Sequence, residues 1–144
     1  MNRNLKVSKS VVINSTKEKV WEVLTLPDKI KIYLFGTETI TDWKPGSPII
    51  FQGEYEGHKY KDKGNVLENK PNELLKYSYW SGFSGLEDKD ENYSIITYTL
   101  EGTHENQIKF TWAQEGFATK EGHQHSETSL GGMLEQIKNL VEEL

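Results

Sequence analysis

Apolar and polar residues alternate from Leu5 to Ile13, "LKVSKSVVI", placing Leu5, Val7, Val11 and Ile13 on one face and Lys6, Ser8 and Ser10 on the other. A period of two marks a strand buried on one side. The "STKE" that follows predicts a helix start, with Ser15 as cap and Glu18 reaching back from the third helical position to the cap's own N–H. Val20, Trp21, Val23 and Leu24 then supply an apolar stripe. Pro27 ends or interrupts that helix, and "DKIKIYLF" continues as a second short helical segment up to Gly36.

Beyond this point the period returns to two. "SPIIFQGEYEG" sets Ile49, Phe51 and Tyr55 against Gln52, Glu54 and Glu56, and "HKYKDKGNVLE" reads as a more polar strand. Its Gly64 predicts a bulge or a point of close backbone approach. Three further strands present Leu75, Tyr77 and Tyr79; Ile96, Tyr98 and Leu100; and Ile108, Phe110 and Trp112. The turn-rich links "KPGS", "EGHK", "KPNE", "GFSGLEDKDEN" and "EGTHEN" argue for an antiparallel sheet. From about Glu127 to Leu144 the period becomes helical, with Leu130, Met133, Leu134, Ile137, Leu140, Val141 and Leu144 spaced by threes and fours. Such a stripe needs an apolar surface, and the concave face of the sheet is the one large enough.

The expected architecture is therefore α+β: a curved antiparallel sheet of six or seven strands gripping a long C-terminal helix, with two short helices after the first strand. An architecture of this kind leaves a cavity between sheet and helix, which is a common ligand location. The 144 residues fit one domain spanning 1–144. Aromatic residues make up 11% of the chain against 35% apolar in total, which favours an aromatic-lined cavity over an aliphatic plug. Phe51, Tyr55, Tyr77, Tyr79, Tyr98, Phe110 and Trp112 fall on the inward faces and, with Met133 and Ile137 of the last helix, form the expected ligand-binding set. Four of these are tyrosines whose buried hydroxyls need hydrogen-bond partners, and water or a polar ligand group is the expected source.

Charge and composition narrow the function. With 22 acidic and 17 basic residues the net charge is −5, which offers no footprint for nucleic acid. The absence of cysteine removes disulfides, thiolate metal sites and cysteine nucleophiles and fits a reducing compartment. Neither a signal peptide nor a membrane-spanning run is present, so the expected location is the cytoplasm. No nucleophile elbow, phosphate loop or zinc-protease helix occurs, and no cofactor is implied. Asp42, Glu54, His58, Glu68 and His104 read as surface groups rather than acids or bases of a reaction.

Two stretches remain. "EGHQHSE" crowds His123 and His125 with Ser126 and Glu127, but histidines two apart diverge on a helix, and no third ligand accompanies them, so no metal site is expected. A helix starting earlier than Glu127 would turn His123 toward the cavity entrance. The loop "GFSGLEDKDEN", Gly82 to Asn92, carries Phe83 and Leu86 among glycines and acids, and is either a cover for the cavity mouth or a solvated hairpin tip.

The motifs "INSTKEKVWEVLT", "TDWKPGSPIIF", "GNVLENKPNELLKYSYW", "TYTLEG" followed by "QIKFTWAQEGF", and the terminal "GGMLEQIKNLVEEL" together resemble the START-like or SRPBCC superfamily, in the branch homologous to the C-terminal domain of the activator of the heat-shock chaperone ATPase. The resemblance covers almost the whole chain. It implies a helix-grip fold whose cavity binds a lipid or another small hydrophobic or aromatic molecule, with a stress-response role in this branch. It also implies an alternative partner, a heat-shock chaperone bound at the surface, and a second alternative, a cyclase or hydratase type enzyme using the same cavity. A lone domain without the activator's additional N-terminal module tips the expectation toward ligand binding. Where the family commonly has Trp on the last helix this chain has Met133. The preceding Gly131 and Gly132 are expected either to bring the helix close to the sheet or kink it, leaving Met133 beside a larger pocket, or to mark a helix start or break.

Overall fold

A computed structural model describes residues 1–144. The chain runs β1 (Asn2–Ile13), α1 (Lys17–Thr25), α2 (Pro27–Tyr33), β2 (Glu38–Ile40), β3 (Pro48–Tyr55), β4 (His58–Lys70), β5 (Leu74–Tyr79), β6 (Ser94–His104), β7 (Gln107–Phe117) and α3 (Lys120–Glu142). The seven strands form one antiparallel sheet in the order β1-β7-β6-β5-β4-β3-β2, with α3 packed on it. No helix is long and apolar enough to cross a membrane.

The alternation read along the strands is the alternation that is buried. Ile49 and Phe51 on β3, Leu75 and Tyr77 on β5, Ile96, Tyr98 and Leu100 on β6, and Ile108, Phe110 and Trp112 on β7 all enter one core. From α3, Leu130, Leu134, Ile137 and Val141 join it. Their spacing of four, three and four keeps them on one helical stripe, and each is worth roughly 1.5–3 kcal/mol when fully withdrawn from water.

β4 joins the two parts of the sheet. Its first half pairs with β3 as far as Asn65, and its second half pairs with β5 from Val66 onward. At this changeover the register shifts between Val66 and Glu68, and a Cβ on Gly64 would stand 1.7 Å from the Ser78 carbonyl oxygen. The close backbone approach expected at Gly64 is therefore present, and only glycine meets it.

Several local expectations are corrected. Thr16, not Ser15, caps α1: its hydroxyl accepts from the Lys19 N–H at 3.3 Å, while Ser15 N–H is turned back to the Ile13 carbonyl, so no reciprocal Glu18 contact forms. β2 was not anticipated, because three residues carry no readable period. α3 begins at Lys120, a full two turns before Glu127, because Thr119 caps it by accepting from the Gly122 N–H. Its first turns hold no apolar stripe and so give no helical signal.

Gly131 and Gly132 are neither a helix start nor points of close approach. They lie inside α3, exposed, with nothing within 4 Å of a Cβ added to either. Each costs roughly 1 kcal/mol relative to alanine in a helix interior. Gly131→Ala and Gly132→Ala are accordingly expected to stabilise the protein by up to about 1 kcal/mol each. Urea denaturation should show the midpoint rising with the slope unchanged.

Candidate functional site

α3 lies along β1 and touches β7 only lightly, leaving the inner face of the sheet from β3 to β7 partly uncovered beneath the turn that ends α2. There a cleft of about 240 Å³ is lined by Leu34, Phe35, Thr37, Phe51, Asp62, Tyr77, Tyr79, Ile96, Trp112 and Gln114. Seven of these ten are hydrophobic. A second opening, toward the start of α3, shares Tyr79 and Gln114 with the first and adds Trp80, Phe83, Phe117 and His125 among its walls. A larger depression of about 520 Å³ on the outer surface, bounded by Lys31, Glu38, Glu54, Lys59 and Lys61 among others, has only one hydrophobic residue and offers no desolvated wall.

The mouth of the cleft is set by the backbone. α2 ends in two successive left-handed residues, Phe35 (φ 54) and Gly36 (φ 92), the second donating to the Lys31 carbonyl at 2.7 Å. The reversal leaves the Phe35 ring 81% exposed at the entrance, while Thr37, two residues on, is buried in the wall.

Of the nine expected binding residues, Phe51, Tyr77, Tyr79 and Trp112 line the cleft. Tyr98 and Phe110 lie in the core behind them, with Tyr98 against Trp112 at 4.6 Å between centroids and edge-on to Phe110 at 5.8 Å. Ile137 is fully buried and Met133 packs half-buried against the core; neither lines an opening. Tyr55 keeps the parity of Phe51 but sits at the end of β3, where the sheet runs beyond its cover, and is 65% exposed.

The tyrosine hydroxyls that were expected to need water or a ligand find protein partners. Tyr77 and Tyr98 hydrogen-bond to each other at 2.6 Å, and Tyr79 donates to Asp62 Oδ2. Burial pushes the Tyr77 and Tyr98 hydroxyls well above the ordinary tyrosine range. Tyr79 is raised by burial first and by the Asp62 carboxylate second. Hydroxyls raised in this way give up a proton less readily than a free tyrosine does.

Asp62 was not singled out, although Asp62, Gly64 and Val66 share a strand parity and all three are buried. An acidic residue in step with an apolar one on an otherwise polar strand was the available signal. Only its Oδ2 is engaged: Oδ1 is shielded from solvent and has no hydrogen-bond partner. Thr37 and Gln114 are the other polar side chains of the wall. The loop between Gly82 and Asn92 is tied down by Trp80 Nε1 donating to the Leu86 carbonyl at 3.2 Å and by Asn92 Nδ2 donating to the Glu87 carbonyl at 2.9 Å. Phe83 stays 71% exposed beside the second opening, its ring 6.3 Å from that of Tyr60.

The two histidines separate. His123 Nε2 lies 2.8 Å from the Lys6 carbonyl and 3.4 Å from Glu127, with its ring edge-on to Phe117, so it fastens α3 to β1. His125 is the one that borders the second opening. Asp42, Glu54, His58, Glu68 and His104 are exposed.

A seven-stranded antiparallel sheet gripping a C-terminal helix, with an aromatic cleft between sheet and α2, is the helix-grip architecture of the START-like or SRPBCC class. Within that class the chain belongs to the family described as activator of Hsp90 ATPase homolog 1-like protein, whose model matches residues 14–142. The solution structure of a Cytophaga hutchinsonii protein is 38% identical, with a TM-score of 0.83 over 99% of this chain and 97% of that one. The fold is also that of the Aha1 dimer from Colwellia psychrerythraea (18% identity, TM-score 0.73, 95% of this chain and 96% of that one). An HSP90 activator from Plasmodium falciparum shares it too (14% identity, TM-score 0.71, 96% of each chain). Among curated proteins none matches in sequence.

Proposed function

We propose that the protein binds a small hydrophobic or aromatic molecule in the cleft between the sheet and the α2–β2 turn. The observation that carries this reading is the wall itself: Phe51, Tyr77, Ile96 and Trp112 present buried apolar surface to an opening of about 240 Å³, with Phe35 standing exposed at its mouth. Ligand pockets are typically concave and apolar with a few placed polar groups, and run from about 300 Å³ upward. A cleft just below that size suits a molecule of one ring or a short chain.

A screen of apolar and aromatic compounds by thermal shift tests it. A compound at one hundred times its Kd stabilises the native state by about 2.7 kcal/mol, or roughly 5–10 °C for a domain of this size. Phe35→Ala, a change at an exposed site, is expected to leave the unliganded melting temperature within about 2 °C while weakening that ligand severalfold. A bound compound indifferent to Phe35→Ala would place its site elsewhere.

Family membership favours a second reading, a heat-shock chaperone held at the outer surface. Stimulation of a chaperone's ATPase by this chain, unaffected by Phe35→Ala, supports that reading. Cleft binding without stimulation supports the first.

A further inference from the structure

Asp62 occupies an unusual place. Its side chain is on the inner face of β4, the residue is 8% exposed, and it forms part of the cleft wall. Tyr79 satisfies Oδ2, and Oδ1 is left without a partner although it is shut off from solvent. A buried acceptor in that condition is costly, and a buried carboxylate more so unless a positive charge faces it.

None of the other nine residues around the cleft carries a charge. The neighbouring lysines on β4 point the other way. Lys63 pairs with Asp88 on the outer side and approaches the Trp80 ring, and Lys61 is exposed. What the wall does supply beside the carboxylate is aromatic surface, with Phe51 against Tyr77 and Tyr79 at 5.7 Å from each, and Trp112 beyond. Aromatic faces attract cations.

Building on the cleft-binding reading above, we infer that the ligand is a protonated amine on an apolar or aromatic body, its positive charge held beside the uncompensated Asp62 carboxylate in the cleft wall while the body lies against Phe51, Tyr77 and Trp112. A neutral alcohol supplies no counter-charge, and a carboxylate is repelled by Asp62. Charge selects the amine, because opposite charges attract more strongly in a low-dielectric wall than in water.

Three single-ring probes of similar size test this by isothermal titration at pH 7: phenethylamine, 2-phenylethanol and 3-phenylpropionate. Wild-type protein is expected to bind phenethylamine at least tenfold more tightly than 2-phenylethanol, with no detectable binding of 3-phenylpropionate. In Asp62→Asn the amine should lose at least tenfold while the alcohol is held within about threefold of its wild-type affinity, circular dichroism confirming that the variant is folded. The inference is overturned if wild-type protein binds the alcohol as well as the amine, or if the amine's advantage survives Asp62→Asn. An alcohol that binds while the amine gains nothing overturns the amine assignment and leaves the apolar cleft standing. Failure of all three probes, and of the wider apolar screen, overturns both readings together. The probe comparison in wild-type protein decides the matter even if Asp62→Asn does not fold.

Discussion

Gly64→Ala is expected to lower the melting temperature by roughly 10–15 °C. The added methyl group would lie 1.7 Å from the Ser78 carbonyl oxygen and 2.5 Å from its carbon, both in the backbone of β5, which is held on its other side in register with Ile95 of β6. Relief requires β4 and β5 to separate where Lys63 and Trp80 exchange hydrogen bonds of 3.0 and 2.7 Å and where Asn65 N–H donates to Ser78 Oγ at 2.9 Å. Forcing a methyl group into packed structure costs about 1–3 kcal/mol, and loosening two of these hydrogen bonds adds about 1 each. A total of about 3–5 kcal/mol converts at roughly 3 °C per kcal/mol for a chain of this length. Thermal unfolding followed by circular dichroism checks it. A variant melting within about 2 °C of wild type would mean that the strands are not in contact there. Because Asp62 and Val66 flank this point on the same face, the substitution is also expected to disturb the cleft.

Phe110→Ala is expected to cost about 3–5 kcal/mol, the range for emptying the volume of a fully buried phenylalanine. Phe110 has no solvent exposure and stands in register with Val11 on one side and Leu100 on the other. Its ring meets Tyr98 edge-on at 79°. Urea unfolding should show the midpoint falling steeply, while Phe35→Ala, at the cleft mouth, stays within about 0.5 kcal/mol of wild type. A cost under about 1 kcal/mol for Phe110→Ala would contradict the packing described. The contrast separates aromatic residues that build the core from those that stand at the opening.

How much of this was legible varies by residue. The inward faces of β3, β5, β6 and β7 follow from period alone, and so does the apolar stripe of α3, since the spacing of side chains around a strand or helix is a property of the local backbone. β2 escaped because three residues cannot show a period, and the first turns of α3 because Lys120 to Glu127 contain no apolar side chain to reveal one. Tyr55 had the right parity on a strand that outruns the core. The tyrosine partners were out of reach for another reason: Tyr77 meets Tyr98 across 21 residues and Tyr79 meets Asp62 across 17, and register decides such pairs. Asp62 left a trace, its parity with Val66, but a trace read only once burial is known.

The chain by itself determined an α+β layout and the set of side chains that turn inward, because those depend on local periodicity and on the order of the elements, while its helix-grip fold and family were legible through the resemblance of motifs spread along almost the whole chain. Tertiary structure alone decided which inward residues are core and which wall a cleft. That division depends on where α3 lies. Set along β1, it leaves Phe110, Tyr98 and Ile137 in the core and Phe51, Tyr79, Trp112 and Asp62, with its half-satisfied carboxylate, in the wall of an opening, and no local pattern encodes a placement fixed by contacts across the whole length of the chain.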